Sequence, residues 1–422
     1  MLKLLITIFI LTSFIIYSKE LSLKDKNEVF KKADDIMLKI SKYGERKPNL
    51  TVKKSLTSKK DVIKYLDSEI KAQYSENQFL AEEQIMKLFG LINKDVNYLK
   101  AIKYVLSQEV AGYYNPKNNT MYIADWIPIA LQEIVLAHEL FHAVQKENYK
   151  VMDKIMNSDN SNSDEKLAIS SLLEGEATAI MMDYEMVIKK KSNMSFEKVP
   201  MLEFMLNMSM AMSPSKSFNK YSKYPQVMMA MMVFPYIKGL VFLTHFKKAG
   251  GWKAIDKIYK RLPISTEQIL HIDKYISNEK PIKIKLKNKE TLIKNCKYLG
   301  ESVLGEASLY TIFQHDKLNE TNISDADGWN GDKIYVYDCN KTYSAIFITQ
   351  WDTVKDASEF LSSIAKFLND SVGKNSQIKL KSNSFKISLK NNKQYYGLAN
   401  NKRVIVLLNL NNSLIKPILS KF

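Results

Sequence analysis

The sequence predicts an α+β fold, with a mainly helical N-terminal part and a C-terminal part that carries most of the strands. Before about residue 280, apolar residues recur with the helical period, whereas later runs are short and rich in β-branched and aromatic residues. A chain of 422 residues also exceeds the usual size of one core, which favours two domains. We expect a leader at 1–18, a helical domain at 19–280 and an α+β domain at 281–422.

The N-terminus has the pattern of a secretory signal peptide. A short positive start precedes an apolar run over residues 4–17, which is too short to span a bilayer comfortably, since a spanning helix needs about 20 residues. Ser18 is a small residue that could precede the cleaved bond. Ile16 stands two residues earlier, where a cleavage site also has a small residue, and it fits poorly, so an uncleaved membrane anchor stays an alternative. We expect an exported protein, and no later stretch that is long and apolar enough to cross a membrane.

The helical part is predicted to hold seven helices and one hairpin. Residues 110–124 indicate two short strands about an Asn-Pro-Lys-Asn-Asn turn, placing an edge strand just before the fourth helix. This hairpin either offers that edge to a ligand or only covers the core. The predicted helices span 29–42, 61–72, 76–89, 129–147, 165–189, 226–248 and 252–261.

The C-terminal part is predicted to mix helices and strands and shows no metal or nucleophile constellation. Cys296 and Cys339 both lie here, and they either pair, as the oxidising conditions outside the cytoplasm allow, or stay free. The predicted helices span 305–314 and 354–368, with one more near the C-terminus, and the strands span 333–338, 344–349, 384–389, 394–399 and 404–408.

The pattern His138-Glu139-Leu140-Phe141-His142 falls within the helix predicted over 129–147. Residues four apart share one face of a helix, so both imidazoles can bind a single ion, while the glutamate beside them faces a metal-bound water. The chain has only five histidines, which makes this spacing unlikely to arise by accident. The pattern predicts the zinc site of a metallopeptidase. The alternative is that both histidines are structural.

A catalytic zinc needs a third protein ligand, with its fourth position left to water. The metzincin pattern is excluded because Gln145 and Asn148 stand where it requires glycine and histidine. The helix predicted over 165–189 carries two carboxylates, Glu174 and Glu176. These point about 200° apart on a helix, so only one of them can face the ion.

The zinc motif together with Glu174-Gly175-Glu176-Ala177 resembles the gluzincin peptidases. That resemblance implies one Zn²⁺ per chain held by His138, His142 and Glu174, with Glu139 as general base and a peptide or protein substrate added as a strand to the hairpin edge. Glu176 stays the reserve ligand, or else a solvated or outer group. The glycine after Glu174 would let two helices approach closely around the ion.

A wider resemblance is to exported bacterial proteins that share the zinc motif and further segments such as 234–239, 265–271 and 328–332. The chain departs from it at Ile272 and Asp327. Two of these segments contain Tyr236 and His271, which are candidates to donate to the oxyanion formed beside the zinc, as a tyrosine or histidine does in gluzincins. The alternative for each is an ordinary structural residue.

The net charge of +17 comes almost wholly from lysine, with arginine only at 46, 261 and 403. Dispersed lysines without a basic cluster interleaved with aromatic residues argue against nucleic-acid binding and favour a solvated surface attracted to an anionic cell envelope. Oligomeric state is not indicated. The sequence as a whole predicts an exported zinc endopeptidase, with a non-catalytic envelope protein that retains a metal site as the alternative.

Overall fold

The computed structural model describes residues 23–73, 75–151, 162–211, 226–313, 325–372 and 378–422. The predicted signal peptide therefore lies outside the described residues. The fold is α+β, as predicted: a helical N-terminal region is followed by a C-terminal region built on a sheet.

The helices of the described residues include all those predicted, together with four others, Tyr98–Glu109, Leu202–Ala211, Thr266–Leu270 and Ile272–Ser277. They are α1 (Leu23–Tyr43), α2 (Lys59–Gln73), α3 (Glu76–Leu88), α4 (Tyr98–Glu109), α5 (Ile129–Asn148), α6 (Ser163–Asp183), α7 (Leu202–Ala211), α8 (Gln226–Lys260), α9 (Thr266–Leu270), α10 (Ile272–Ser277), α11 (Gly305–Phe313), α12 (Val354–Ser371) and α13 (Asn412–Leu419). The two helices predicted over 226–261 form the single element α8, and α6 continues into a π-helical turn, Tyr184–Lys189.

The strands form two sheets. They are β1 (Lys53–Thr57), β2 (Gly112–Asn115), β3 (Thr120–Ala124), β4 (Lys297–Ser302), β5 (Trp329–Asp338), β6 (Tyr343–Trp351), β7 (Ile378–Lys381), β8 (Ser384–Ser388), β9 (Lys393–Asn400) and β10 (Arg403–Asn411).

The predicted hairpin is confirmed as β2 and β3, which pair antiparallel. Strand β1 was not predicted; it pairs parallel with β3 on the opposite side, giving the order β1-β3-β2. Strand β2 is therefore an edge of this small sheet, and it packs against α5.

Helices α6 and α8 touch backbone to backbone at Gly175 and Gly239. A Cβ on Gly175 would lie 2.3 Å from the carbonyl carbon of Gly239, and a Cβ on Gly239 would lie 1.9 Å from the carbonyl oxygen of Ser171. Gly175 thus does allow a close approach of two helices, but the partner is α8 and not α5, the helix that carries His138 and His142. The contact fixes which face of α6 turns towards α5.

Helix α8 is broken at the pair Gly250 and Gly251, where φ/ψ are −166°/24° and 66°/−157°. The predicted interruption between residues 248 and 252 is thus confirmed as a kink. The expectation that no stretch after the leader could cross a membrane is wrong by length and composition, because Val227–Lys260 meets both criteria. In this fold, however, Leu240, Phe242 and Leu243 are buried in the core between helices.

The second sheet has seven antiparallel strands in the order β4-β5-β6-β10-β9-β8-β7. Both faces are covered, one by α3 and α12 and the other by residues 284–298 and α13. Cys296 and Cys339 form a disulfide with a Cα–Cα distance of 4.2 Å, which is one of the two outcomes left open by the sequence.

The helical part and the large sheet share one core. The ring of Phe89, just after α3, meets Phe347 of β6 edge to face at 5.9 Å, and the Tyr395 hydroxyl donates to the Leu88 carbonyl at 2.7 Å. The boundary at residue 280 stays a prediction. Any division there runs through a continuous apolar interface.

Candidate metal centre

Two histidines and one glutamate converge in the core between α5 and α6. Nε2 of His138 and Nε2 of His142 lie 3.2 and 3.5 Å from Oε2 of Glu174, and the candidate ligand atoms all lie within 4.8 Å of one another. The three side chains are 0, 4 and 5 % exposed. Two imidazoles and one carboxylate are a donor set that suits catalytic zinc, so these residues fit the ion that the sequence predicts.

Gln145 orients His142. Its Oε1 lies 2.7 Å from Nδ1 of His142, while its Nε2 donates to the Leu173 carbonyl at 3.0 Å and to Glu176 at 3.1 Å. Because the amide nitrogen is committed to acceptors, the amide oxygen must accept from Nδ1–H of the imidazole. Nε2 of His142 is then left facing Glu174, and a second partner on Nδ1 is the usual arrangement for a histidine that binds a metal through Nε2.

Glu176 is held away from the histidines by other partners. It is fully buried, its Oε1 accepts from Nη2 of Arg46 at 3.0 Å, and its Oε2 accepts from Tyr259 and Gln145. Arg46 also pairs with Asp256 at 2.8 Å. The solvated role considered for Glu176 is therefore wrong, and Glu174 is the carboxylate that lies against the two histidines.

Glu139 lies beside the edge strand β2. The residue is fully buried, and its Oε2 accepts from the backbone N–H of Tyr114 at 3.0 Å. The N–H of Tyr114 must therefore point away from β3. Both backbone groups of a residue in an antiparallel pair point the same way, so the Tyr114 carbonyl also faces off the sheet edge.

Tyr236 and His271, the two candidate oxyanion donors, lie in different surroundings. The Tyr236 ring, on α8, stacks on His138 with centroids 5.9 Å apart. Nε2 of His271 instead lies 2.7 Å from Oε1 of Glu306. His271 follows α9, which Thr266 ties to Asp164 at the start of α6, and Glu174 is about 15 Å further along that helix. The structure thus brings Tyr236, and not His271, against a proposed ligand.

Burial and mutual charge set the protonation of the centre. Burial lowers the pKa of His138. Burial also lowers the pKa of His142, but the charge and hydrogen bond of Glu174 outweigh it and raise that pKa to about 9. Burial raises the pKa of Glu174, yet the two imidazoles lower it to about 2. Without metal, the centre therefore pairs a Glu174 carboxylate with a His142 imidazolium at neutral pH.

This pairing predicts a pH-dependent zinc affinity. Below its raised pKa, His142 holds a proton that zinc must displace, so the affinity should rise by up to about tenfold per pH unit as the pH increases towards 9. Glu174 is already ionised at neutral pH and adds no competing proton. Competition against a chromophoric chelator across neutral pH measures the slope. A flat profile would contradict the protonation described here.

Comparison with known proteins reaches only the C-terminal region. Residues 294–413 match a family described as a domain of unknown function, DUF8575. No curated protein and no solved structure matches the chain. The matched residues run from β4 to β10 and contain none of His138, Glu139, His142 and Glu174, so the match says nothing about the centre between α5 and α6.

Sequence reasoning missed three groups that position the centre: Gln145, Arg46 and the backbone of Tyr114. A signal existed for Gln145, because it lies three residues after His142 and therefore on the same side of α5. The sequence gives no such signal for Arg46, because it lies 130 residues before its partner Glu176.

Proposed function

We propose that the protein is an exported zinc-dependent endopeptidase that hydrolyses peptide bonds with a metal-activated water. The observation that carries the proposal is the convergence of His138, His142 and Glu174, with Glu139 beside the edge strand β2. Zinc, when bound in such a site, lowers the pKa of a coordinated water to about 7 and polarises the substrate carbonyl.

The edge of β2 supports a peptide substrate. An extended peptide can join it as a further strand and pair with outward backbone groups such as the Tyr114 carbonyl, while pockets along the strand set preference. Because the Tyr114 N–H also holds Glu139, a peptide on this edge would lie next to the general base. Glu139 then takes the proton from the attacking water and passes it to the leaving amine.

Tyr236 is the residue we assign to the oxyanion, on the strength of its contact with His138. Tyr236→Phe keeps the ring but removes the hydroxyl, so we expect zinc content to be unchanged, kcat to fall by roughly 10–10³-fold and KM to stay nearly constant. Steady-state kinetics with a peptide substrate measure this. Normal turnover by the variant would leave Tyr236 as a packing residue only.

Export is supported by the N-terminal pattern and by the Cys296–Cys339 disulfide, since disulfides persist mainly outside the cytoplasm. The excess of lysine would favour contact with an anionic envelope.

A second candidate function is a non-catalytic envelope protein that retains the metal for stability. It is favoured by the burial of the centre, whose three ligand side chains are at most 5 % exposed. The position of Glu139 weighs against it, because a purely structural zinc site closes with ligands and needs no base beside it.

Cleavage of an unfolded protein substrate separates the two candidates. The zinc-loaded chain is expected to cleave it, a chelator to abolish the cleavage, and added zinc to restore it. A folded, zinc-loaded chain that cleaves nothing under these conditions would favour the non-catalytic candidate.

A further inference from the structure

A second cluster of metal-ligating side chains lies where the helical part meets the seven-stranded sheet. It consists of His271 between α9 and α10, Glu306 on α11 and Asp327 just before β5. Nε2 of His271 lies 2.7 Å from Oε1 of Glu306 and 3.9 Å from Oδ1 of Asp327, and one nitrogen and two oxygens of the cluster lie within 4.8 Å of one another.

Glu306 is buried, and one of its carboxylate oxygens makes no hydrogen bond among the described residues. The residue is 0 % exposed, and among the described residues its Oε2 has no hydrogen-bond partner, nor has the buried Oδ1 of Asp327. A buried carboxylate oxygen without a partner is costly, and a bound cation would satisfy it. The side chains of His271 and Asp327 are 28 and 47 % exposed, so an ion could reach the cluster from solvent.

The surroundings carry an excess of negative charge. Buried Glu267 lies 3.4 Å from Lys274, whose ammonium is shared with Glu279 and Asp352 at 2.6 Å each. Lys274 and His271 thus face five carboxylates. A divalent cation would neutralise this excess and favour the ionised carboxylates.

Hydrogen bonds fix the positions of His271 and Glu306 relative to each other. The Thr266 hydroxyl donates to Asp164 at 2.5 Å and accepts from the backbone N–H of Ala307 at 3.0 Å. This joins the start of α9 to the first turn of α11, so the segment before His271 and the residue after Glu306 are fixed to each other. Such preorganisation is what a metal site requires.

We propose that His271, Glu306 and Asp327 bind a second divalent cation, with Zn²⁺ as the metal. Zinc accepts imidazole and carboxylate donors together, whereas Mg²⁺ and Ca²⁺ prefer all-oxygen sites. The three ligands come from separate segments on both sides of residue 280. The ion therefore cross-links the helical part to the sheet. Because it binds the folded chain and not the unfolded chain, it stabilises the folded state.

The zinc content of the full chain after equilibrium dialysis tests the site, measured by mass spectrometry. Glu306→Gln and Asp327→Asn should each hold one zinc per chain fewer than the wild type, and zinc should raise their melting temperature less. The matched control is Glu279→Gln, which alters a neighbouring carboxylate already paired with Lys274 and should keep the wild-type zinc content.

Equal zinc content in wild type, Glu306→Gln and Asp327→Asn would overturn the proposal and leave the cluster as a His271–Glu306 ion pair. Asp327 is half exposed, so its variant decides the matter if Glu306→Gln does not fold. The test is independent of the first centre. Were that centre empty, the wild type would hold one zinc and Glu306→Gln none, whereas His138→Ala would still hold one.

Discussion

Replacing Glu139 by glutamine is expected to leave the zinc content of the chain unchanged while peptidase activity falls by roughly 10²-fold or more. Glutamine cannot take a proton from the attacking water. Its amide oxygen can still accept from the Tyr114 N–H, so the position of the side chain beside β2 is kept. Metal analysis and a cleavage assay on the same preparation measure both quantities.

The matched control for this variant is Glu133→Gln, which lies on the same helix and pairs with Lys32 away from the centre. It should retain both zinc and activity. Loss of zinc from a folded Glu139→Gln protein would make Glu139 a ligand, and unchanged activity would place the base elsewhere.

A large loss of zinc affinity is expected when Glu174 is replaced by alanine. Glu174→Ala leaves only two histidines for the ion, so zinc affinity at this centre should fall by more than the roughly 10–100-fold that loss of an outer hydrogen-bond partner costs. Titration with zinc in the presence of a competing chelator measures the change.

Glu176→Gln is the matched control and should behave differently. It weakens the buried pair with Arg46 but touches no proposed ligand, so zinc affinity should stay within about tenfold of the wild type. Breaking a buried pair by changing one partner costs up to about 3–5 kcal/mol, so its melting temperature should fall. If Glu176→Gln loses zinc and Glu174→Ala keeps it, the ligand is Glu176.

The secondary structure was predictable where the pattern of apolar residues is local. Helices α5 and α12 were found from helical periodicity alone. Strand β7 was missed although Ile378-Lys379-Leu380-Lys381 alternates apolar and charged residues, because an alternating run of only four residues is a weak signal and all four are exposed. Strand β1 was missed because its pairing with β3 joins residues more than 60 positions apart.

The candidate metal centre shows the same contrast between local patterns and long-range contacts. The spacing of His138, Glu139 and His142 is local, so one stretch of sequence carries it. The choice between Glu174 and Glu176 depends on the rotation of α6, which is set by the distant contact of Gly175 with Gly239 and by the pairing of Glu176 with Arg46. No sequence period contains that information.

We expect one zinc ion to bind between α5 and α6. Anomalous diffraction at the zinc edge, from crystals of the zinc-loaded protein, locates the ion. We expect a peak about 2.0–2.2 Å from Nε2 of His138, Nε2 of His142 and a carboxylate oxygen of Glu174. The absence of a peak there, or an ion bound by Glu176, would contradict this expectation.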